Sequence, residues 1–157
     1  MESILEFLKS ELMVFLMAVT PLIELRGSLP YAIVVLGMGY THAYIISVAG
    51  SIIPSPFILK LLPKVLRFLR GKRGFDKIAD WITRRTMRKS ERMKKITLLG
   101  LFLFVAIPLP GTGVWTGSAI AALLGLPYKG AFMACFLGTM VAGLLMLILS
   151  HLGLMVF

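Results

Sequence analysis

The sequence predicts an all-α polytopic membrane protein of two inverted repeats. Each repeat is a re-entrant helical hairpin followed by a transmembrane helix, and a basic amphipathic segment joins the two. Three observations predict this. Of the 157 residues, 58% are hydrophobic, and the mean hydropathy is +0.90, more than a soluble domain of this size carries. Charge is gathered in one block: fourteen Lys/Arg and three acids lie between Lys60 and Lys95, a net +11, and the rest of the chain sums to −1. The apolar blocks on either side share one order: short arm, Pro/Gly break, short arm, glycine turn, full span. Residues 1–157 are read as a single membrane domain, with a first repeat over 1–62, a basic cytoplasmic linker over 63–95 and a second repeat over 96–157.

The opening Met1–Glu6 carries acids where a signal peptide carries basic residues, so the first apolar run is expected to be retained. Leu12 to Ile23 is an apolar run of 12 residues. As a helix it spans about 18 Å, against a hydrocarbon core of about 30 Å. It therefore either dips in and returns or continues past Glu24 as a broken span.

Gly27 to Leu59 holds 33 residues without formal charge, too many for one span of about 20. Gly37-Met-Gly39 divides it into a short arm, Ser28 to Leu36, and a full span, Ala43 to Leu62. Ser28 is read as the N-cap of the short arm, with Pro30 in its first turn. Pro54 and Pro56 are expected to kink the full span or end it early. In the basic block, Phe75, Ile78 and Ile82 share one helical face, as on a helix lying against an anionic leaflet or in solvent. By the positive-inside rule this block is cytoplasmic.

Ile96 to Tyr128 repeats the pattern with 33 uncharged residues. Ile96 to Ile107 is a short arm, Ser118 to Leu124 its return, and Gly130 to Leu149 a full span. Small residues from Gly130 to Gly143 line one face, where another helix or a second copy could approach. A shift of 87 pairs Pro21-Leu22 with Pro108-Leu109 and Ala32-Ile33 with Ala119-Ile120; a shift of 88 pairs Gly37 with Gly125, Tyr40 with Tyr128 and Gly50 with Gly138. If the arms are re-entrant hairpins, each half crosses once, the halves are inverted and both termini lie outside. If they are broken spans, there are four crossings and both termini lie inside. The hairpins are preferred.

The two breaks hold the candidate chemistry. Glu24 and Arg26 are the one acid and one base between Leu12 and Leu59. Charges this scarce in an apolar block face protein or water and mark a pathway. Pro21, Gly27 and Pro30 break the first hairpin, and Gly117 the second. The second break supplies Pro108, Pro110, Gly111, Thr112, Gly113 and Thr116; Ser28 adds a hydroxyl. Helix N-termini at facing breaks would turn N–H groups toward an anion or headgroup, with Arg26 in support. Glu24 is either the partner of Arg26 or a proton-binding group, and Trp115 either stacks on a substrate or anchors the hairpin tip. No metal-ligand cluster, cofactor motif or enzyme constellation is present in the sequence. The charge block has no nucleic-acid module beside it.

Pro21-Leu-Ile-Glu-Leu-Arg-Gly-Ser-Leu-Pro30 and Pro108-Leu-Pro-Gly-Thr-Gly-Val-Trp-Thr-Gly-Ser118 resemble the paired signatures of the putative small multidrug export protein family. The layout more distantly resembles the DedA superfamily. The first resemblance implies export of a lipophilic small molecule. The second implies re-entrant hairpins in inverted repeats and movement of lipid carriers such as undecaprenyl phosphate across a bacterial inner membrane. DedA proteins carry arginines in the second break, where this chain has Thr112 and Thr116 and no cation. The expectation is a small ion- or proton-coupled secondary exporter of a bacterial or archaeal cytoplasmic membrane, homo-oligomeric and not an enzyme. Anionic headgroups are expected on the basic segment. A lipid flippase or scramblase, or a non-transporting membrane organiser, is the alternative.

Overall fold

The computed structural model describes residues 2–69, 91–109 and 111–153. The predicted amphipathic helix of the basic block, and Pro110, lie outside the described residues. Among those described there is no strand. The helices are α1 (Glu2–Val19), α2 (Glu24–Pro30, wound on as π-helix through Tyr31–Val35), α3 (Tyr40–Ile52), α4 (Pro54–Leu69), α5 (Glu91–Ala106), α6 (Val114–Leu123) and α7 (Tyr128–His151).

The first arm is displaced from the expected Leu12–Ile23. It begins at Glu2, in residues that favour helix, and stops at Val19, because Pro21 bars the helical conformation to the residue before it. Thr20 Oγ1 donates to the Met17 carbonyl at 2.7 Å and closes the end. Both return arms begin earlier than expected, at Glu24 and Val114. Gly27, Pro30 and Gly117 therefore do not break helices but lie inside them, and Ser28 is a buried mid-helix residue and not an N-cap. A glycine inside a helix costs only about 1 kcal/mol. Gly117 recovers this by close approach, since a Cβ there would lie 2.6 Å from Val105 Cγ2. Pro30 lacks an N–H, and the chain after it widens into π-turns, with Leu36 N–H donating to Tyr31 O at 3.2 Å.

Both hairpins end on glycines of left-handed backbone, Gly37 at φ +61° and Gly125 at φ +64°. Two helical stretches are long and apolar enough to cross a membrane: Tyr40–Val65, where α3 passes into α4 at Pro54, and Tyr128–His151.

In each half the entering arm runs parallel to the long helix that follows. Glu11 meets His42 and Ala18 meets Ser51 along α1 and α3; Leu98 meets Gly130 and Val105 meets Gly138 along α5 and α7. Closest approach falls at two glycines. A Cβ on Gly50 would lie 2.7 Å from the Ala18 Cβ and 2.8 Å from the Phe15 carbonyl. A Cβ on Gly138 would lie 2.8 Å from the Val105 Cβ and 2.9 Å from the Phe102 carbonyl. The long helices are antiparallel: Tyr40 lies beside His151, and the Lys60 ammonium lies over the Tyr128 ring. The halves also exchange contacts, α2 packing on α7 and α6 on α4.

The buried interior is small-chained, with Ala18, Ala32, Ala43, Ala121 and Ala131 inaccessible, while Leu12, Leu16, Phe57, Leu144 and Ile148 are more than half exposed. Such an outward apolar surface suits lipid rather than water. The small-residue face of α7 is consumed within the chain: Gly130 meets Leu98, Gly138 meets Val105, and Gly143 meets Tyr44 and Leu25. It is not the interface for a second copy that the sequence suggested.

Replacing Gly50 with Val is expected to push α1 off α3 and cost about 2 kcal/mol by overpacking. Gly100, where a Cβ meets nothing within 4 Å, is the control: Gly100→Ala is expected to stabilise by about 0.5–1 kcal/mol. Thermal unfolding in detergent checks both.

Candidate functional site

The two breaks lie side by side at mid-bundle, the first following Ala18, level with Gly50, and the second following Val105, level with Gly138. Each is built around a conformation that ordinary helix cannot supply. Glu24 opens α2 at φ +48°, a left-handed value that costs a non-glycine residue about 1–2 kcal/mol. Residues outside the common regions are held there by their surroundings and cluster at functional sites. Gly111 turns the second break at φ +82°.

The Glu24 carboxylate points at the N-terminus of α6. The Trp115 N–H donates to its Oε1 at 3.3 Å. Gly113, at the cap position, offers no side chain to this end, and a Cβ there would overlap the carboxylate itself. Glu24 therefore does from the other hairpin what a capping Asp or Ser does locally, and its charge meets the positive end of the helix dipole. The anion at this helix end is the protein's own, which corrects the expectation of N–H groups open to a headgroup.

Arg26 leaves the same short helix and reaches the turn before α6. Its Nη1 donates to the Leu109 carbonyl and its Nη2 to Thr112 Oγ1 at 2.8 Å. Thr112 in turn holds its own loop, its hydroxyl lying 2.8 Å from the Ile107 carbonyl and 2.9 Å from that of Leu109. Glu24 and Arg26 form no ion pair within 4.0 Å; among the described residues that pairing belongs to His42 and Glu11. Two charges two residues apart thus engage opposite ends of one foreign loop.

Trp115 completes the crossing. Its indole Nε1 donates to the Val19 carbonyl at 3.0 Å, satisfying an end group of α1. Of the two uses expected for Trp115, the geometry shows the anchoring one. Among the other sequence candidates, Thr116 and Gly111 are exposed, Pro108 is half-buried, and Ser28 is fully buried one turn beyond Glu24. Pro110 is not among the described residues.

Sequence reasoning missed the carbonyls of Leu109 and Val19, since every residue carries one and no residue type marks the one that is used. It also missed a buried cluster where α4, α6 and α7 meet: Ser118 Oγ donates to Ser55 Oγ at 2.8 Å and lies 3.6 Å from Cys135 Sγ.

Gly113→Ala and Glu24→Gln are expected each to destabilise by about 1–2 kcal/mol, through loss of the charged cap. Because both act on one contact, the double variant should cost no more than the larger single change. A double-mutant cycle by thermal unfolding reads this, and full additivity would separate Gly113 from the carboxylate.

Comparison with curated proteins and with solved structures returns no match. The chain is an integral membrane protein on the strength of its two long apolar helices and its lipid-suited surface. It matches the family model described as putative small multi-drug export protein over residues 24–145, which takes in Glu24 and Arg26, the second break, the long helix Tyr40–Val65 and most of Tyr128–His151, and it belongs to that family.

Proposed function

We propose that the chain is a small secondary exporter of lipophilic cations, with its binding position at the crossing of the two breaks and Glu24 as the group that alternates between substrate and coupling proton. The observation that carries this is that both ionised side chains of the first break end on the second, Glu24 at the Trp115 amide and Arg26 at Leu109 and Thr112. A carboxylate placed against a helix end by 3.3 Å of one hydrogen bond is held, yet can be drawn off by a competing cation. Arg26 donates to Leu109 and Thr112 inside the protein, which favours a cation exporter over a flippase that would need the guanidinium for phosphate.

In this reading α1–α4 and α5–α7 are two inverted repeats, each a re-entrant hairpin and a span. Three features support it. The arms run parallel to their long helices, the long helices are antiparallel, and Gly50 and Gly138 hold like places. The first hairpin opens at the end where Tyr40 meets His151, the second at the end where Lys60 meets Tyr128. With the basic block cytoplasmic, the first hairpin opens outside and the second inside, and the termini are outside. The protein acts as a homo-oligomer through a surface other than the small-residue face of α7.

The test is ligand-dependent stability of the purified protein. Tetraphenylphosphonium at a hundred times its dissociation constant is expected to stabilise by about 2.7 kcal/mol, less at low pH, where protonation neutralises Glu24, and not at all in Glu24→Gln. Stabilisation by undecaprenyl phosphate that disappears in Arg26→Ala would instead establish the flippase. No response to either would remove both substrates.

A further inference from the structure

Two hydroxyls in the first half are unaccounted for. Ser28 on α2 and Ser47 on α3 are each fully inaccessible, and neither Oγ has a hydrogen-bond partner. Leaving a buried hydroxyl unpaired costs about 1–3 kcal/mol, so two on packed helices need a reason. The second half treats the same places differently. Ser118, fifth residue of α6 as Ser28 is of α2, bonds to Ser55, and Cys135, which the shift of 88 pairs with Ser47, lies 3.6 Å away. One junction is closed by its own groups and the other is not.

The two unpaired hydroxyls stand on helices that pack together. Ser28 is four residues after Glu24, and Ala32 four after that, so the three share one face of α2. On α3, Ala43 and Ser47 share a face, with Gly39 at the cap position four residues before Ala43, and α2 packs on α3. Ala32 and Ala43 are inaccessible. At the far end this seam meets a cavity of about 420 Å³ between the start of α1 and the turn into α3, bordered by Phe7, Ser10, Gly37, Gly39 and His42. His42 Nε2 lies 2.5 Å from Glu11 Oε1 at this mouth. The polar side chains along this seam are Ser10 and His42 with Glu11 at the mouth, Ser47 on α3, Ser28 and Glu24 on α2, and Ser51, bonded to the Ala18 carbonyl, at the break end.

We infer that this seam between α2 and α3 is the path by which a proton passes between the cavity at His42 and the carboxylate of Glu24. The inference rests on the exporter reading for its use, and it supplies that reading with a side of entry, the end where the first hairpin opens. A hydroxyl both donates and accepts, so each serine takes a proton on one side and releases one on the other without net change. Neither hydroxyl is within hydrogen-bond reach of the other or of Glu24, so the transfer runs through waters that enter between them and bond to the unpaired serines. The charged and titratable groups facing this seam are few. They are Arg26 on α2 itself, Glu11 on α1, and His42 and Tyr44 on α3, the last bonded to the Met140 carbonyl of α7.

The test needs no substrate. Full-length protein in nanodiscs of phosphatidylethanolamine and phosphatidylglycerol is taken through a pH jump, and the carbonyl band of protonated Glu24, identified by its absence in Glu24→Gln, is followed by time-resolved infrared. The band is expected to rise after acidification in the wild type. In Ser28→Ala with Ser47→Ala it should rise about a hundredfold more slowly, the lower end of what a positioned proton-transfer group contributes, with its final height unchanged. Gly39→Phe, at a position where a Cβ meets nothing within 4 Å, should fill the mouth and slow the rise likewise. Thr139→Ala, which removes a buried hydroxyl already bonded to the Cys135 carbonyl, should leave the rate alone. Equal rates in all variants would overturn the path, as would a Glu24 band that never appears or that answers to sodium and not to pH. Failure of tetraphenylphosphonium to stabilise the protein, with the infrared rates as expected, would overturn the exporter reading and leave the path standing.

Discussion

A broken helix inside an apolar medium leaves N–H and C=O groups with nothing to bond, at a cost of several kcal/mol for each one exposed to lipid. The architecture depends on how this chain meets that constraint. Each break supplies what the other lacks. The Trp115 side chain satisfies the Val19 carbonyl at the end of α1, the Glu24 carboxylate accepts from the first turn of α6, and Arg26 satisfies Leu109. Neither hairpin could stop at mid-bundle by itself. Charges that lipid would exclude are tolerated because they stand where backbone groups must be met anyway.

The small interior follows from the same arrangement. Two hairpins and two long helices must bring their breaks within hydrogen-bond reach, and large side chains would hold them apart. Glycine therefore stands at the crossings of α1 with α3 and of α5 with α7, and at the cap where the carboxylate enters, while leucine and phenylalanine face outward. In water this distribution would be inverted. In lipid the outward leucines cost nothing, and close contact between backbones supplies the cohesion.

The elements were legible from sequence where physics acts locally. Proline and glycine punctuate the chain regardless of tertiary context, so a break within Pro21–Pro30 and another after Ile107, the turns at Gly37 and Gly125, and the two long helices all stood out. Helix starts were less legible. Gly27 and Gly117 look like breaks by propensity, but their missing Cβ serves packing, and the helices run through them. The site was legible in its charges, since Glu24 and Arg26 are alone in a long apolar stretch. Their partners were not, because a carbonyl or an amide has no signature in sequence. Ser47 was invisible for a related reason: a serine in an apolar helix usually bonds its own backbone, and only the structure shows that this one does not.

The mutual satisfaction of the two breaks also bears on how the protein is made. Residues 20–26 leave the ribosome long before residues 109–115, with the whole basic block between them. Until Leu109, Thr112 and Trp115 arrive, Glu24 and Arg26 lack the groups they bond in the finished fold, and the first hairpin has no means of settling at mid-bundle. The bonds that hold the early break are made only once the late half is present. The contacts between the two breaks therefore belong to the end of synthesis, and the order of the chain does not set the order of folding.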